Sequence, residues 1–229
     1  MSSLIKSKCY IGILGLGNRS TVFYLEQLNY LYNNKNGGYS TCPFKLLNTN
    51  FNDINPFLPN QFIHLKQSLL AYLKEIHTLK IDSLLIPNIT LHETIDMLDL
   101  DGVQKTLIIH PIASTIELLK ERGQKSVVLF GSLHSMKTSY ISSQLHNHDI
   151  QTSLPSEEEM KFIDELRHKI FFNKESLEEV SRYKNLVNSY TRSKAVIIAC
   201  TELSIVSLET NSNVFDMARI QINKAMVLC

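Results

Sequence analysis

Six apolar runs of strand length punctuate the chain: YIGILGL (10–16), FKLLN (44–48), SLLIP (83–87), TLIIH (106–110), SVVLFG (126–131) and AVIIAC (195–200). Most are continuous rather than alternating. That is the pattern of strands buried on both faces of a parallel sheet. Between them lie stretches with apolar residues at helical spacing: TVFYLEQLNYLYNN, FIHLKQSLLAYLKEIHTL, IASTIELLKERG, EEEMKFIDELRHKIFF and LEEVSRYKNLVNSYTRS. Gly123, directly after LLKER, is placed to end its helix. The alternation of strand and helix predicts an α/β fold.

The pattern also repeats. Gly15 ends a strand that runs into a polar turn and a helix (GLGNRST), and Gly131 does the same (GSLHSMKTS). From Gly15 to Asn88 is 73 residues, and from Gly131 to Cys200 is 69. Each half thus offers a glycine-turn strand and, at a similar interval, a strand ending in a polar cluster. Two similar α/β halves are expected, each a mostly parallel sheet flanked by helices. Ligands in such sheets bind beyond the C-terminal ends of the strands, so a site between the halves would collect both clusters. The stretch LYNNKNGGYSTCP (31–43) reads as a loop between the first helix and the second strand, either solvated or covering the site.

Composition narrows the classes. The 229 residues are 44% hydrophobic and 20% charged, the balance of a globular chain with a sizeable core. A net charge of +1 provides no field for a polyanion, so nucleic acid is not an expected partner. No apolar stretch approaches the length of a membrane span. The start of the chain, MSSLIKSKCYIGILGLG, reads as a first strand rather than a signal peptide, and the expected location is cytoplasmic. The four cysteines, Cys9, Cys42, Cys200 and Cys229, make no metal-binding spacing and are expected as reduced thiols.

Three motifs bear on chemistry. GILGLGN follows a strand, but it lacks the third glycine of a dinucleotide fingerprint, and the second strand ends in LLNTNF without the acidic residue that would hold a ribose. In AVIIACTELS a strand tip presents Cys200, then Thr201 and Glu202. A buried structural cysteine followed by a threonine N-cap would give the same letters. A helix start there would lower the thiol pKa from about 8.5. In LLIPNITLHET the polar cluster is Asn88, Thr90 and His92. Thr90 and Glu93 have capping-box spacing, and such a helix start also holds an anion. His64, His77, His146 and His148 lack ligand spacing and read as surface or satisfied histidines.

In order and spacing, these segments resemble the aspartate/glutamate racemase family along nearly the whole chain. IGILGLGNRSTVFYLEQLN resembles the family's glycine-rich opening, PNITLH its Pro-Cys-Asn-Thr-x-His, and HPIAST its His-x-x-x-x-Thr. VVLFGSLHSM resembles its strand ending in Gly-Thr, IIACTELSIV its Gly-Cys-Thr-Glu, and FDMARIQINKAM its closing helix. The resemblance implies a first domain of residues 1–105 plus 210–229, with the closing helix returning to it, and a second domain of residues 106–209. It implies a homodimer acting on a small acidic amino acid or dicarboxylate, with no cofactor and no metal. In the family, one thiol takes a proton from Cα and a second thiol returns one from the other face. Groups that hydrogen-bond the α-carboxylate stabilise the charge that develops.

This chain departs from that pattern at one wall. Cys200 matches the second cysteine, but Asn88 stands in place of the first, and an amide only donates and accepts hydrogen bonds. Three readings follow: a racemase-like enzyme using Cys200 alone, a one-cysteine decarboxylase-type relative, and a non-catalytic binder. Under the first reading Cys200 is the acid/base, with water, Thr90 or His92 serving the opposite face. Thr90 and Thr201 hold the α-carboxylate. Asn88, Asn48 and Ser132 line the ligand, and Glu202 and His92 orient or polarise the two sides. A second substrate carboxylate needs a cation, for which Arg19, Lys45 and Lys174 are candidates.

Overall fold

The computed structural model describes residues 9–100, 107–207 and 211–229. The first sheet has the order β2-β1-β3 and is wholly parallel, built from β1 (Ile11–Gly15), β2 (Phe44–Asn48) and β3 (Ser83–Leu85). Ile108 adds a single parallel bridge to Leu84. Of the run TLIIH, expected as a fourth strand of its own, Thr106 lies outside the described residues and the rest contributes only this bridge, with Pro111 starting a helix three residues after Ile108. The helices of this half include α1 (Asn18–Asn36), α2 (Phe62–His77) and α3 (Leu91–Asp96).

The second half runs α4 (Pro111–Glu121), β4 (Ser126–Gly131), α5 (Leu133–Lys137), α6 (Ser139–His146), β5 (Gln151–Ser153), α7 (Glu157–Phe171) and α8 (Leu177–Thr191). It continues with β6 (Ala195–Ala199), α9 (Thr201–Val206), β7 (Val214–Asp216) and α10 (Met217–Leu228). Its sheet is again wholly parallel, in the order β5-β4-β6-β7. The short edge strands β5 and β7 are absent from the apolar pattern, because QTS and VFD are too brief to show a period. The expected fold class, two parallel sheets flanked by helices, is the one observed.

Burial explains the unbroken apolar runs. Along β4 and β6, Val128, Phe130, Val196, Ile198 and Cys200 pack with α7 and α8 residues. Their alternate neighbours Val127, Leu129, Ala195, Ile197 and Ala199 pack with residues of α4 and α6 on the other face. The first sheet is covered likewise. Leu14, Leu84 and Ile86 face Leu65, Leu69 and Leu73 of α2. Ile11, Ile13 and Leu85 face Phe23, Tyr24 and Leu28 of α1 together with Ile222 and Ala225 of α10.

Helix α10 thus returns to the first half, while β7 directly before it pairs with the second sheet. The return is fixed by a buried chain of polar contacts. Tyr24 Oη donates to Gln221 Oε1 at 2.6 Å, and Gln221 Nε2 donates to the Ile109 carbonyl at 2.6 Å. The same return brings Cys229 beside Cys9, and the two form a disulfide across 220 residues of sequence. The expectation of four reduced thiols therefore fails for this pair, whose proximity depends on tertiary packing. Cys42 and Cys200 are free.

One further expectation changes. Helix α1 extends to Asn36, into the stretch read as a loop, because Leu31 and Tyr32 still pack on the core; the loop proper begins at Gly37, with φ +71°. At Gly123 the reading is right: φ is +66° and its amide bonds the Lys120 carbonyl. The first eight residues and the expected domain boundaries near 105 and 210 lie outside the described residues. Among the described residues no helix is long and apolar enough to cross a membrane.

Candidate active site

Strands β3, β4 and β6 all run out toward one cavity of about 310 Å³. Asn88, Ile89 and Thr90 line it from the segment after β3, Ser132 and His134 from the segment after β4, and Cys200, Thr201 and Glu202 from the segment after β6. Two other segments close it. Phe51, Asn55, Leu58 and Pro59 come from the connection after β2, and Arg167, His168, Phe171 and Phe172 from the end of α7. Phenylalanines also line the cavity, with the Phe51 and Phe171 rings 6.2 Å apart.

The second wall is built around the thiol. Cys200 is the N-cap of α9, 7% exposed, and its Sγ donates to Glu202 Oε2 at 3.2 Å. Burial first, and the Glu202 carboxylate second, push the thiol well above its ordinary pKa. The sequence-based expectation of a lowered thiol pKa is overturned. Desolvation and an adjacent negative charge outweigh the field of a six-residue helix. The resting group is a thiol, a proton donor. Beside it Thr201 is 2% exposed, and its Oγ1 has no hydrogen-bond partner in the protein.

The first wall is organised differently. The Leu91 amide donates to Asn88 Oδ1 at 3.1 Å, so Asn88 caps α3. Thr90 sits in helical geometry (φ −62°, ψ −32°) with its hydroxyl capping nothing. Glu93 reaches across the cavity seam to His134 Nε2 at 3.2 Å. The capping box read at Thr90 and Glu93 is therefore not formed. With Asn88 already serving as cap, Thr90 is left to line the cavity and Glu93 is taken up by His134.

His92 does not line the cavity. It is completely buried behind it, with Nδ1 2.9 Å from the Asn88 carbonyl and its ring edge-on to His110 at 4.9 Å. Burial, assisted by His110, lowers its pKa to about 3. A neutral ring next to a carbonyl must donate through Nδ1. It supports the first wall from behind and is in no position to serve the opposite face of a ligand.

Asn48 also lies outside. It ends the edge strand β2, away from β3, and its Oδ1 lies over Gly15, 2.6 Å from where a Cβ would stand. Ser132 lines the cavity, but its hydroxyl is engaged as the N-cap of α5 by the Ser135 amide at 3.1 Å.

None of the three cations singled out from the sequence reaches the site. Arg19 pairs with Glu175 at 2.6 Å and with the Ile170 carbonyl. Lys45 bonds the Leu79 and Lys80 carbonyls and covers the Tyr10 ring, and Lys174 lies over Phe172. The cavity's cation is Arg167. Its Nε pairs with Asp164 Oδ1 at 2.6 Å, and the same Asp164 oxygen accepts from the Leu133 amide at the start of α5. Arg167 Nη2 donates to His168 Nε2 at 3.1 Å. The sequence held a signal for this residue. Met160, Ile163, Leu166 and Ile170 form the buried stripe of α7, and Asp164, Arg167 and Phe171 follow beside it at helical spacing.

No family model and no curated protein matches the sequence. Solved structures do match the fold. PH1733, an aspartate racemase homologue from Pyrococcus horikoshii OT3, superposes with a TM-score of 0.79 at 22% identity, covering 97% of this chain and 99% of its own. The aspartate racemase of Picrophilus torridus gives 0.74 at 19%, covering 95% and 94%. A glutamate racemase from Francisella tularensis, solved with D-glutamate, gives 0.59 at 13%, covering 96% and 81%. At these identities the likeness establishes a shared fold.

Proposed function

We propose that this chain is a racemase-like enzyme that moves the Cα proton of an acidic amino acid, with Cys200 as its one cavity thiol and without a cofactor. The observation that carries the reading is the pair Cys200 and Thr201. A thiol and an unpartnered, buried hydroxyl stand side by side at a strand end, in a cavity between two α/β halves. An orphaned buried hydroxyl costs about 1–3 kcal/mol unless a ligand supplies its partner.

In this reading the Thr201 and Thr90 hydroxyls hold the α-carboxylate, and Asn88 lines the opposite face. The two hydroxyls stabilise the enolate-like charge as the Cα–H bond breaks. Arg167 pairs the side-chain carboxylate, its guanidinium already aimed by Asp164. Cys200 delivers or removes the proton at one face, and Glu202 holds the thiol in place. The resemblance further supports a homodimer.

The test is solvent exchange. The protein is incubated in D₂O with L- and D-aspartate and L- and D-glutamate, and loss of the Cα–H signal is followed by NMR. Exchange is expected with at least one acid, and inversion is expected to vanish in Cys200→Ala. A protein inert toward all four acids is not this enzyme. In that case, binding of the same acids would identify a non-catalytic binder.

A further inference from the structure

Asn88 leaves the first wall of the cavity without an ionisable group among the described residues, so a two-sided transfer needs its second ionisable group elsewhere. Besides Cys200, the ionisable side chains described on the cavity are Glu202, Arg167, His168 and His134. Glu202 shares the thiol's own position, 3.2 Å from Sγ. Arg167 is permanently cationic. His168 accepts a hydrogen bond from Arg167.

His134 is placed differently. It belongs to α5, on the strand next to that of Cys200, yet its ring ends against Glu93 of the opposite half. The two side chains are only 19% and 15% exposed. The α5 start that carries the ring is pinned twice, by the Ser132 cap and by Asp164 on the Leu133 amide.

We propose that His134, held by Glu93, is the second acid/base of this site, replacing the proton carrier that Asn88 cannot be. The assignment rests on the proton-transfer reading above. A carboxylate at Nε2 fixes the proton there and leaves the Nδ1 lone pair as the base. Nδ1 has no protein partner among the described residues. It takes the Cα proton, and the ring becomes an imidazolium neutralised by Glu93. The carbanion then accepts the Cys200 thiol proton at its other face, so one C–H bond breaks, one forms, and a thiolate remains. Solvent returns a proton to the thiolate and removes one from the imidazolium. Burial and Glu202, which keep the resting thiol protonated, suit Cys200 to the donor role in this direction.

The experiment compares His134→Gln and Cys200→Ala for deuterium exchange into both hands of aspartate and glutamate, with folding checked by circular dichroism. Racemisation should be lost in both. Exchange with retention should survive for one hand in Cys200→Ala and for the other hand in His134→Gln, each lost hand falling about 100-fold or more. Added imidazole should restore exchange to His134→Ala. A His134→Gln protein that exchanges both hands at wild-type rates overturns the assignment while leaving the role of Cys200 intact. So does survival of the same hand in both folded variants. A wild type inert toward all four acids overturns the proton-transfer reading itself, and this assignment with it.

Discussion

The two walls of the cavity follow one plan and differ in what their polar side chains are bound to. Each is a buried parallel strand whose end turns into a six-residue helix, α3 on one side and α9 on the other. On the first wall the leading polar side chain is tied to its own backbone, Asn88 capping Leu91. On the second, Cys200 caps nothing through its side chain, and Thr201 Oγ1 is unpartnered. A side chain already satisfied by its own helix gains little from a ligand, whereas an uncommitted buried group gains a full interaction. The comparison assigns a mainly structural role to the first wall, through Asn88, and the proton chemistry to Cys200 on the second.

The largest expected effect tests that division directly. Cys200→Ala should lower inversion by about 10²–10⁴-fold, the range for a positioned acid/base, with little loss of stability. Asn88→Ala should do the reverse. It should cost about 1 kcal/mol in thermal unfolding through the lost cap and change turnover only a few-fold. Asn88→Cys restores a thiol to the first wall. With His134 as the second acid/base it should not raise racemisation, and a large gain would return the second proton carrier to position 88. Comparable kinetic losses at the two positions would break the comparison.

Arg167→Met comes next. Removing a charge-assisted pair to the substrate's second carboxylate should raise KM for aspartate or glutamate about 10–100-fold, with a smaller change in kcat. The same substitution at Arg19 should leave KM unchanged, because that guanidinium pairs with Glu175 outside the cavity. Equal effects at the two arginines would remove Arg167 from the site. Glu202→Gln is smaller still. Taking a negative charge from beside the thiol lowers its pKa, so alkylation of Cys200 by iodoacetamide at pH 8 should quicken by roughly tenfold or less. An unchanged or slower rate would mean that burial alone keeps the thiol protonated.

What the sequence reveals of this arrangement divides along physical lines. The central strands, most of the helices and the two polar clusters are legible, because two-faced burial writes continuous apolar runs and strand ends locate the site. Cys200, Thr201, Asn88, Thr90, Ser132 and Glu202 all reach the cavity for that reason. Asn48 fails because its place depends on strand order, with β2 at the edge. His92 fails by one helical turn, which carries it behind Asn88 into the core. His134 is missed because its role arises from a 3.2 Å contact to Glu93 on another element, and Arg167 because its pair with Asp164 on the same helix is joined to α5 only through the Leu133 amide. The raised thiol pKa is likewise a property of burial, which no local spacing records.

His92 provides the mildest test, and it concerns the wall assigned to structure. Its folded pKa is about 3, against about 6.5 for an unfolded histidine. Between those values the unfolded chain binds a proton that the folded protein refuses. The contribution of His92 is therefore fully present above pH 6.5 and is lost progressively as pH falls toward 3, by at most about 1.4 kcal/mol per pH unit. The buried Asp216 carboxyl, whose pKa burial raises, acts in the opposite sense over part of that range, so the wild-type slope alone does not isolate the histidine. His92→Gln does, because glutamine still donates to the Asn88 carbonyl but carries no titrating ring. Urea unfolding at pH 7, 6 and 5 should show stability declining more steeply with acid in the wild type than in His92→Gln. Coinciding slopes would mean that the ring is protonated inside the fold, and the first wall would then hold a buried charge that this comparison denies it.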